Sequence, residues 1–174
     1  FSNYISKQFK KVNIEYYGNT PILSIRPEPL DNIYNRLQKR VFDIFFALLF
    51  FLLIGWWLFP LIALFVKLSS PGPVFFVQKR SGEGNEEFWC YKFRSMKVNA
   101  EADTKQATVG DARITRVGSF LRKSNLDELP QFINVLLGDM SVVGPRPHML
   151  KHTEEYSKIV NNFMVRHFVK PGIT

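Results

Sequence analysis

Ile44-Phe45-Phe46-Ala47-Leu48-Leu49-Phe50-Phe51-Leu52-Leu53-Ile54-Gly55-Trp56-Trp57-Leu58-Phe59-Pro60-Leu61-Ile62-Ala63-Leu64-Phe65-Val66 is a run of 23 residues without a charge. A straight helix of that length rises about 35 Å, enough to cross a hydrocarbon core of about 30 Å. On length alone the run reads as an ordinary spanning helix. Two features point elsewhere. Pro60 lies inside the run, where it removes a backbone hydrogen bond and kinks a helix. Both flanks are basic, with Arg36, Lys39 and Arg40 before the run and Lys67, Lys79 and Arg80 after it. Positive residues stay on the cytoplasmic side, so a spanning helix should be asymmetric, and this one is not. A segment that enters, breaks near Pro60 and returns to the same face satisfies both flanks, provided that the freed carbonyls find partners. Trp56 and Trp57, mid-run, would lie at the bilayer centre of a spanning helix, away from the interface that Trp prefers.

The remaining composition agrees with a lipid partner. The 174 residues carry a formal charge of +8 and an isoelectric point near 9.7, which calls for an anionic partner. Phe is abundant at 17 and concentrated before residue 77, a distribution that favours lipid over nucleic acid, whose binders interleave aromatic and basic residues. A single cysteine, Cys90, excludes an internal disulfide and a Cys-rich zinc site. His148, His152 and His167 offer no dense ligand spacing; the first two read as solvated helix surface. No cleavable signal peptide is visible, because the apolar run starts past residue 40 and no small-residue cleavage site follows. The chain opens on Phe1 and stops at Pro171-Gly172-Ile173-Thr174, which reads as a piece of a longer protein.

Before the apolar run, Pro21 to Pro27 reads as a short strand and residues 31–40 as an amphipathic lead-in, with Ile33, Leu37 and Val41 at helical spacing. Beyond it, Ser69-Ser70-Pro71-Gly72-Pro73 stops the helix. Val74–Val77 and Phe88–Phe93 read as two strands of a hairpin, with a basic turn at residues 78–82. Residues 98–112 are polar and solvated, with a turn at Gly110-Asp111. Residues 114–123 read as a basic helix. Leu126, Leu129, Ile133, Leu136 and Leu137 predict an amphipathic helix over 124–137, capped by Ser124 or Asn125. Asp127 and Glu128 would then lie in its first turn, where the helix dipole favours negative charge. Adjacent carboxylates diverge by about 100° on a helix, so the two need not share a task.

That acidic pair stands in Arg122-Lys123-Ser124-Asn125-Leu126-Asp127-Glu128-Leu129-Pro130-Gln131, and Gly138-Asp139-Met140-Ser141-Val142-Val143-Gly144-Pro145-Arg146-Pro147 follows. Carboxylates among cations suit chemistry on a phosphate, because the cations hold the phosphate and keep the acid ionised. Read alone, Lys92 is a solvated strand lysine and Arg146 an ordinary salt-bridge partner. Asp139 reads as a turn cap, Asp43 as a helix-start charge or an anchor for an arginine, and Arg166, His167 and Lys170 as a solvated helix end.

Both runs, with Tyr91-Lys92-Phe93-Arg94-Ser95-Met96, resemble the bacterial polyprenyl-phosphate hexose-1-phosphate transferases, the monotopic phosphoglycosyl transferases. The resemblance spans roughly residues 38–174. It implies an α+β protein: a membrane-embedded helix-break-helix hairpin carrying a small, mostly helical cytoplasmic catalytic domain with a short β-hairpin. Residues 1–35 become the tail of a preceding domain or a linker, 36–70 the lead-in and re-entrant helix, and 71–174 a catalytic domain lacking its C-terminal end. The family usually has Ser-Pro at the membrane break, where this chain has Phe59-Pro60. It also implies Asp127 as nucleophile, Glu128 as ligand of Mg²⁺, Arg146 as phosphate clamp, and Lys92 and Arg122 as supporting cations. The implied substrates are a nucleotide diphosphate-sugar and polyprenol (undecaprenyl) phosphate at the bacterial inner membrane, in the first membrane step of exopolysaccharide or surface-glycan synthesis. Two other readings stay open: a lipid-docking adaptor without catalysis, and a single-displacement glycosyltransferase, for which no Asp-x-Asp pair is seen.

Overall fold

A computed structural model describes residues 12–17, 20–25, 30, 32–98, 108, 111–147 and 169–173. The chain divides into two compact units, 1–40 and 41–174. In the first, β1 (Val12–Tyr17) and β2 (Thr20–Ile25) pair antiparallel, Val12 opposite Ile25. The strand expected at 21–27 is thus half of a hairpin whose other half, the alternating Val12-Asn13-Ile14-Glu15, went unread.

The apolar run forms α1 (Ile33–Phe50), a π-helical turn (Phe51–Gly55) and α2 (Trp56–Ser69). On a straight helix Phe50 and Phe59 would stand on opposite sides, about 13 Å apart along the axis. Their ring centroids are 6.1 Å apart, and those of Phe51 and Phe59 5.6 Å. The axis therefore bends sharply between them. The irregularity lies at Phe51–Gly55, and Pro60 sits inside α2, so the break expected near Pro60 is displaced one turn toward the N-terminus. The proline ring presses on the carbonyl four residues back, at Trp56, so the strain falls on the turn ending there. Trp56 N–H reaches back five residues to the Phe51 carbonyl, the signature of a π turn. The Trp57 indole donates to the Leu53 carbonyl at 3.1 Å, a side-chain partner for a carbonyl within the π turn.

Both arms of the bend pack on the second unit's small core. Ala47 on α1 joins Cys90, Val135 and Met140, and Phe50 stacks on Phe132 at 4.1 Å. Ile62 and Val66 on α2 join Phe93 and Leu121, with Phe59 edge-on to Phe93 at 5.1 Å. Burying a ring such as Phe93 contributes about 1.5–3 kcal/mol. The rest of the helix is bare: Leu52 is 72% and Trp56 70% exposed. Among the described residues, Ile33–Ser69 is the one helical stretch long and apolar enough to cross a membrane. A core helix of a soluble protein would bury most of this surface; a contiguous apolar face of this size calls for another apolar medium.

β3 (Phe75–Ser81) and β4 (Glu87–Phe93) form an antiparallel hairpin, Phe75 opposite Phe93 and Gln78 opposite Cys90. The expected basic turn at 78–82 is mostly strand; the reversal lies at Gly82–Glu86, where Gly82 N–H bonds the Glu86 carbonyl at 2.8 Å. α3 (Arg116–Lys123) begins at Thr115, whose hydroxyl accepts from Gly118 N–H at 2.9 Å. The expected helix over 124–137 is two pieces. A 3₁₀ turn spans Leu126–Glu128 and α4 runs Gln131–Leu137. Asn125, expected as a cap, instead takes a left-handed φ of 56° and makes no side-chain cap bond. Pro130, lacking an N–H, fits immediately before the first residue of α4. Most of the polar stretch expected at 98–112, including Gly110 of its turn, lies outside the described residues, as do His148, His152, Arg166 and His167.

Gly118 packs so closely on Ser95 that a Cβ would overlap its carbonyl. Gly118→Ala should cost about 1–3 kcal/mol, as overpacking does, and lower the unfolding temperature by several degrees. Differential scanning fluorimetry in detergent or nanodiscs reads this; an unchanged midpoint would refute the packing described.

Candidate active site

Asp127 and Glu128 occupy the 3₁₀ turn between α3 and α4, not the first turn of a helix. The Glu128 N–H bonds the Asn125 carbonyl at 3.2 Å, and for Glu128 direct ion pairing takes the place of the expected helix dipole. Glu128 Oε1 accepts from Lys92 Nζ and from an Arg146 NH2, each at 2.6 Å. The two cations come from different segments: Lys92 from β4, Arg146 from the loop after α4. Lys92 is thus not a solvated strand lysine, and Arg146 has the salt-bridge partner that its sequence reading allowed.

Asp127 is 8% exposed. Burial raises its pKa; Lys92 opposes the rise, Glu128 adds to it, and Arg122 opposes it. Of the five expected site residues around this turn, Asp127, Glu128, Lys92 and Arg146 are brought together, and Arg122 acts on Asp127 through its field. Pro60, the sixth, belongs to the bent helix and not to this cluster.

Several residues that the sequence reading passed over hold the cluster. Asn134, fully buried, accepts from Tyr91 N–H at 3.0 Å and donates to the Trp89 carbonyl at 2.6 Å, tying α4 to β4 on either side of Cys90. Its carbonyl receives the N–H groups of Gly138 and Asp139, each at 3.0 Å. Gly138 closes α4 at φ 101°, a conformation that glycine adopts without strain. The buried face of α4 is Gln131, Asn134 and Val135, while Leu137 is 63% exposed. Of the apolar stripe expected at 126, 129, 133, 136 and 137, Leu126, Leu129 and Leu136 pack against the core, while Leu137 is exposed and the most buried positions of α4 are polar as well as apolar. Backbone bonds to a neighbouring strand outweigh apolar periodicity on a two-turn helix. A polar pair at 131 and 134, three apart, was the available signal.

The loop 138–147 is fixed from two further directions. Asp43 on α1, 3% exposed, accepts from Ser141 Oγ at 2.9 Å and Val142 N–H at 3.0 Å. It is an anchor, though for Ser141 and Val142 in the loop that carries Arg146 where an arginine was the expected partner. From the C-terminal side Ser141 N–H donates to the Pro171 carbonyl at 2.8 Å, and Gly172 N–H to the Pro145 carbonyl at 2.9 Å. Lys170, read as a solvated helix end, donates to the Gly138 carbonyl at 2.7 Å. Asp139 receives a 3.3 Å bond from the Asn134 amide, in keeping with a turn cap.

Arg80 is a second omission. Burial lowers its pKa; Cys90 opposes that, Arg146 reinforces it and Glu128 opposes it, so Arg80 lies within electrostatic reach of the cluster. Among the described residues no three His, Cys, Asp or Glu side chains converge as a ready-made metal site. Lys92 and Arg146 share Oε1 of Glu128, which leaves Oε2 as a donor for a hard cation held mainly by substrate phosphates and water.

The bacterial sugar transferase family matches residues 34–174. The chain belongs to that family, as the sequence motifs indicated. It is 51% identical over 164 residues to a UDP-glucose:undecaprenyl-phosphate glucose-1-phosphate transferase of Xanthomonas campestris pv. campestris, covering 92% of this chain and 34% of that protein. The protein of the same description from Escherichia coli (strain K12) is 51% identical over 165 residues, with the same coverage. A UDP-N-acetylgalactosamine-undecaprenyl-phosphate N-acetylgalactosaminephosphotransferase of Aeromonas hydrophila is 44% identical over 168 residues, 94% of this chain and 38% of that protein. The chain thus spans about a third of the length of these relatives.

The direction of the Asp127 shift has a consequence for stability. A carboxyl whose folded pKa is raised stabilises the fold while protonated and costs stability as pH rises through that pKa. Asp127→Asn removes the cost. It should raise the unfolding temperature at pH 8, and that gain should fade as pH falls through the folded pKa. No gain at pH 8 would mean that Asp127 is not strained by burial.

Proposed function

We propose that this chain carries the catalytic part of a phosphoglycosyl transferase. In this reading it moves a sugar-1-phosphate from a nucleotide diphosphate-sugar, a UDP-sugar by analogy with the relatives' names, to undecaprenyl phosphate. The observation that carries the proposal is the buried Asp127 beside Glu128, itself held by Lys92 and Arg146, in a member of this family. An Asp127 oxygen attacks the β-phosphorus of the donor. The bond from that phosphorus to the bridging oxygen breaks, and the nucleoside monophosphate leaves with that oxygen and its electron pair. The product is a mixed anhydride of the Asp127 carboxyl and the sugar phosphate. An oxygen of polyprenol phosphate then attacks the same phosphorus, the carboxylate leaves, and a polyprenyl diphosphate-sugar results. Partial desolvation strengthens the nucleophile, while the fields of Lys92 and Arg122 keep enough of it ionised.

Arg146, 73% exposed on its side chain, is free to exchange its Glu128 contact for a donor phosphate, to which its planar fork is matched. Glu128 Oε2 would hold Mg²⁺ together with the diphosphate. The ion would neutralise charge on the phosphates and on the departing monophosphate.

The bent helix supports a re-entrant seat in the bacterial inner membrane, with both arms returning to a catalytic unit on the cytoplasmic face. Its bare apolar surface and two-sided basic flanks agree with that topology. The reaction would be the first membrane step of exopolysaccharide or surface-glycan synthesis.

Membranes carrying the complete protein, incubated with a labelled nucleotide diphosphate-sugar but no polyprenol phosphate, should trap a phospho-sugar on Asp127. Asp127→Asn should trap none and lose turnover by at least about a thousandfold, as nucleophile removal does in comparable enzymes. Turnover retained in Asp127→Asn would rule out the nucleophile. Normal turnover without an adduct would favour single displacement.

Arg122→Gln should move the acid limb of the first half-reaction to higher pH, because Arg122 holds the Asp127 pKa down. A limb that stays put would remove Arg122 from the site. For topology, single cysteines at Arg36 and Lys79 should label from one face only, against a low background from buried Cys90. Label from opposite faces would mean a spanning helix.

A further inference from the structure

Each arm of the bent helix is tied to one of the two cations on Glu128. The first tie runs from α1. Asp43 Oδ1 accepts from Ser141 Oγ and Val142 N–H, at 2.9 and 3.0 Å, within the loop that presents Arg146. The second runs from the end of α2. Arg94, 6% exposed, donates through NH1 to the Pro71 carbonyl at 2.7 Å. Its NH2 donates to the carbonyls of Ser70 at 2.6 Å and Val66 at 3.4 Å. Ser70 closes α2 and Pro71 follows it, while the Val66 carbonyl also accepts from Ser70 N–H and Ser69 Oγ, so the guanidinium sits at the negative end of the helix dipole. Arg94 directly follows β4, two residues beyond Lys92. Its N–H bonds the Val74 carbonyl at 2.9 Å, so its backbone is held as well as its side chain.

We propose that Asp43 and Arg94 are positioning residues, which couple the seat of the apolar helix to the geometry at Glu128. Asp43 acts through Arg146, and Arg94 acts through Lys92. The proposal rests on the phosphoglycosyl transferase reading and adds to it a mechanical role for the membrane element. Movement of either arm, when the lipid substrate or the bilayer shifts it, is transmitted to one of the two cations. A misplacement of about 1 Å can cost on the order of a hundredfold in rate. Two separate short ties therefore suffice to make the chemistry depend on how the helix is seated.

Double-mutant cycles separate this from a general loss of fold. The readout is release of nucleoside monophosphate in the first half-reaction, in membranes carrying the complete protein. Arg94→Gln and Asp43→Ala should each slow it by roughly 10–100-fold. Asp43→Asn, which keeps the Oδ1 acceptor, should recover most of the rate. The Arg94→Gln effect should shrink to about twofold or less when Lys92 is already Gln, and the Asp43→Ala effect likewise when Arg146 is already Gln. Crossed pairs, Arg94 with Arg146 and Asp43 with Lys92, should multiply. Effects that multiply in all four combinations would overturn the coupling.

Hydrogen exchange on the same protein needs no turnover and separates the two layers of the argument. Asp43→Ala should lose protection in the loop 138–147, and Arg94→Gln at residues 66–74, while the β3–β4 ladder stays protected. Unchanged exchange overturns the ties themselves. No monophosphate release from the wild-type protein, together with these local losses in the variants, overturns the enzymatic reading and leaves the ties in place.

Discussion

One carboxylate oxygen, Glu128 Oε1, receives hydrogen bonds from two cations that the chain delivers from opposite sides. A strand supplies Lys92 and a loop supplies Arg146, so neither can reach Glu128 unless β4, α4 and the loop beyond it are all in register. Asn134 sets that register. It satisfies backbone groups of β4 with its side chain and those of the loop with its carbonyl. The side-chain amide is hard to replace, because any apolar substitute would leave two backbone groups, Tyr91 N–H and the Trp89 carbonyl, without this partner. The geometry at Glu128 is therefore specified by polar contacts, while the aromatic contacts of Phe50 with Phe132 and of Phe59 with Phe93 supply cohesion.

The same arrangement explains why a carboxyl is tolerated at a buried position. Asp127 is desolvated, which is unfavourable for an anion, and stands beside another anion. Lys92 and Arg122 offset part of that penalty but do not cancel it, since the net direction is still upward. A nucleophile stabilised fully by cations would be a poor one, and one left wholly unpaired would stay protonated. The intermediate state suits the role proposed for Asp127, which would have to be both ionised and reactive.

Some of this was legible in the sequence, and the limits have physical causes. The uncharged run, its proline and the acidic pair with its cations are local patterns, and each marks a real element. What failed was inference about the form of those elements. The helix expected over 124–137 followed an apolar stripe, but Asn125 and Pro130 divide it, and polar Gln131 and Asn134 face inward. The break was placed at Pro60 because proline is the visible irregularity, whereas its steric load is felt one turn earlier, beside Gly55. Asp43 lies 98 residues from Ser141, and no pattern within either segment announces that pairing. Arg80 was read as part of a basic turn because nothing local shows that the strand continues through it. Long-range polar contacts carry the site, and periodicity is blind to them.

The bend and the site also constrain each other. A straight apolar helix of this length would hold its two ends about 35 Å apart, and only one could touch a unit this small. Because the axis bends between Phe50 and Phe59, Asp43 and the Val66–Pro71 end both reach the catalytic unit. The apolar surface left over is then the middle of the run, around Leu52 and Trp56, farthest from both ties. That division of labour follows from the sequence order alone: polar anchors at the ends of the run, a π turn and proline near its centre, and bare side chains between them. In the proposed reading, a protein that hands a soluble phosphate to a lipid-borne one needs its acidic pair at the boundary between the two media. Ties at both ends of the apolar run, Asp43 to the loop that carries Arg146 and the Ser70 and Pro71 carbonyls to Arg94, are a direct physical way to hold it there.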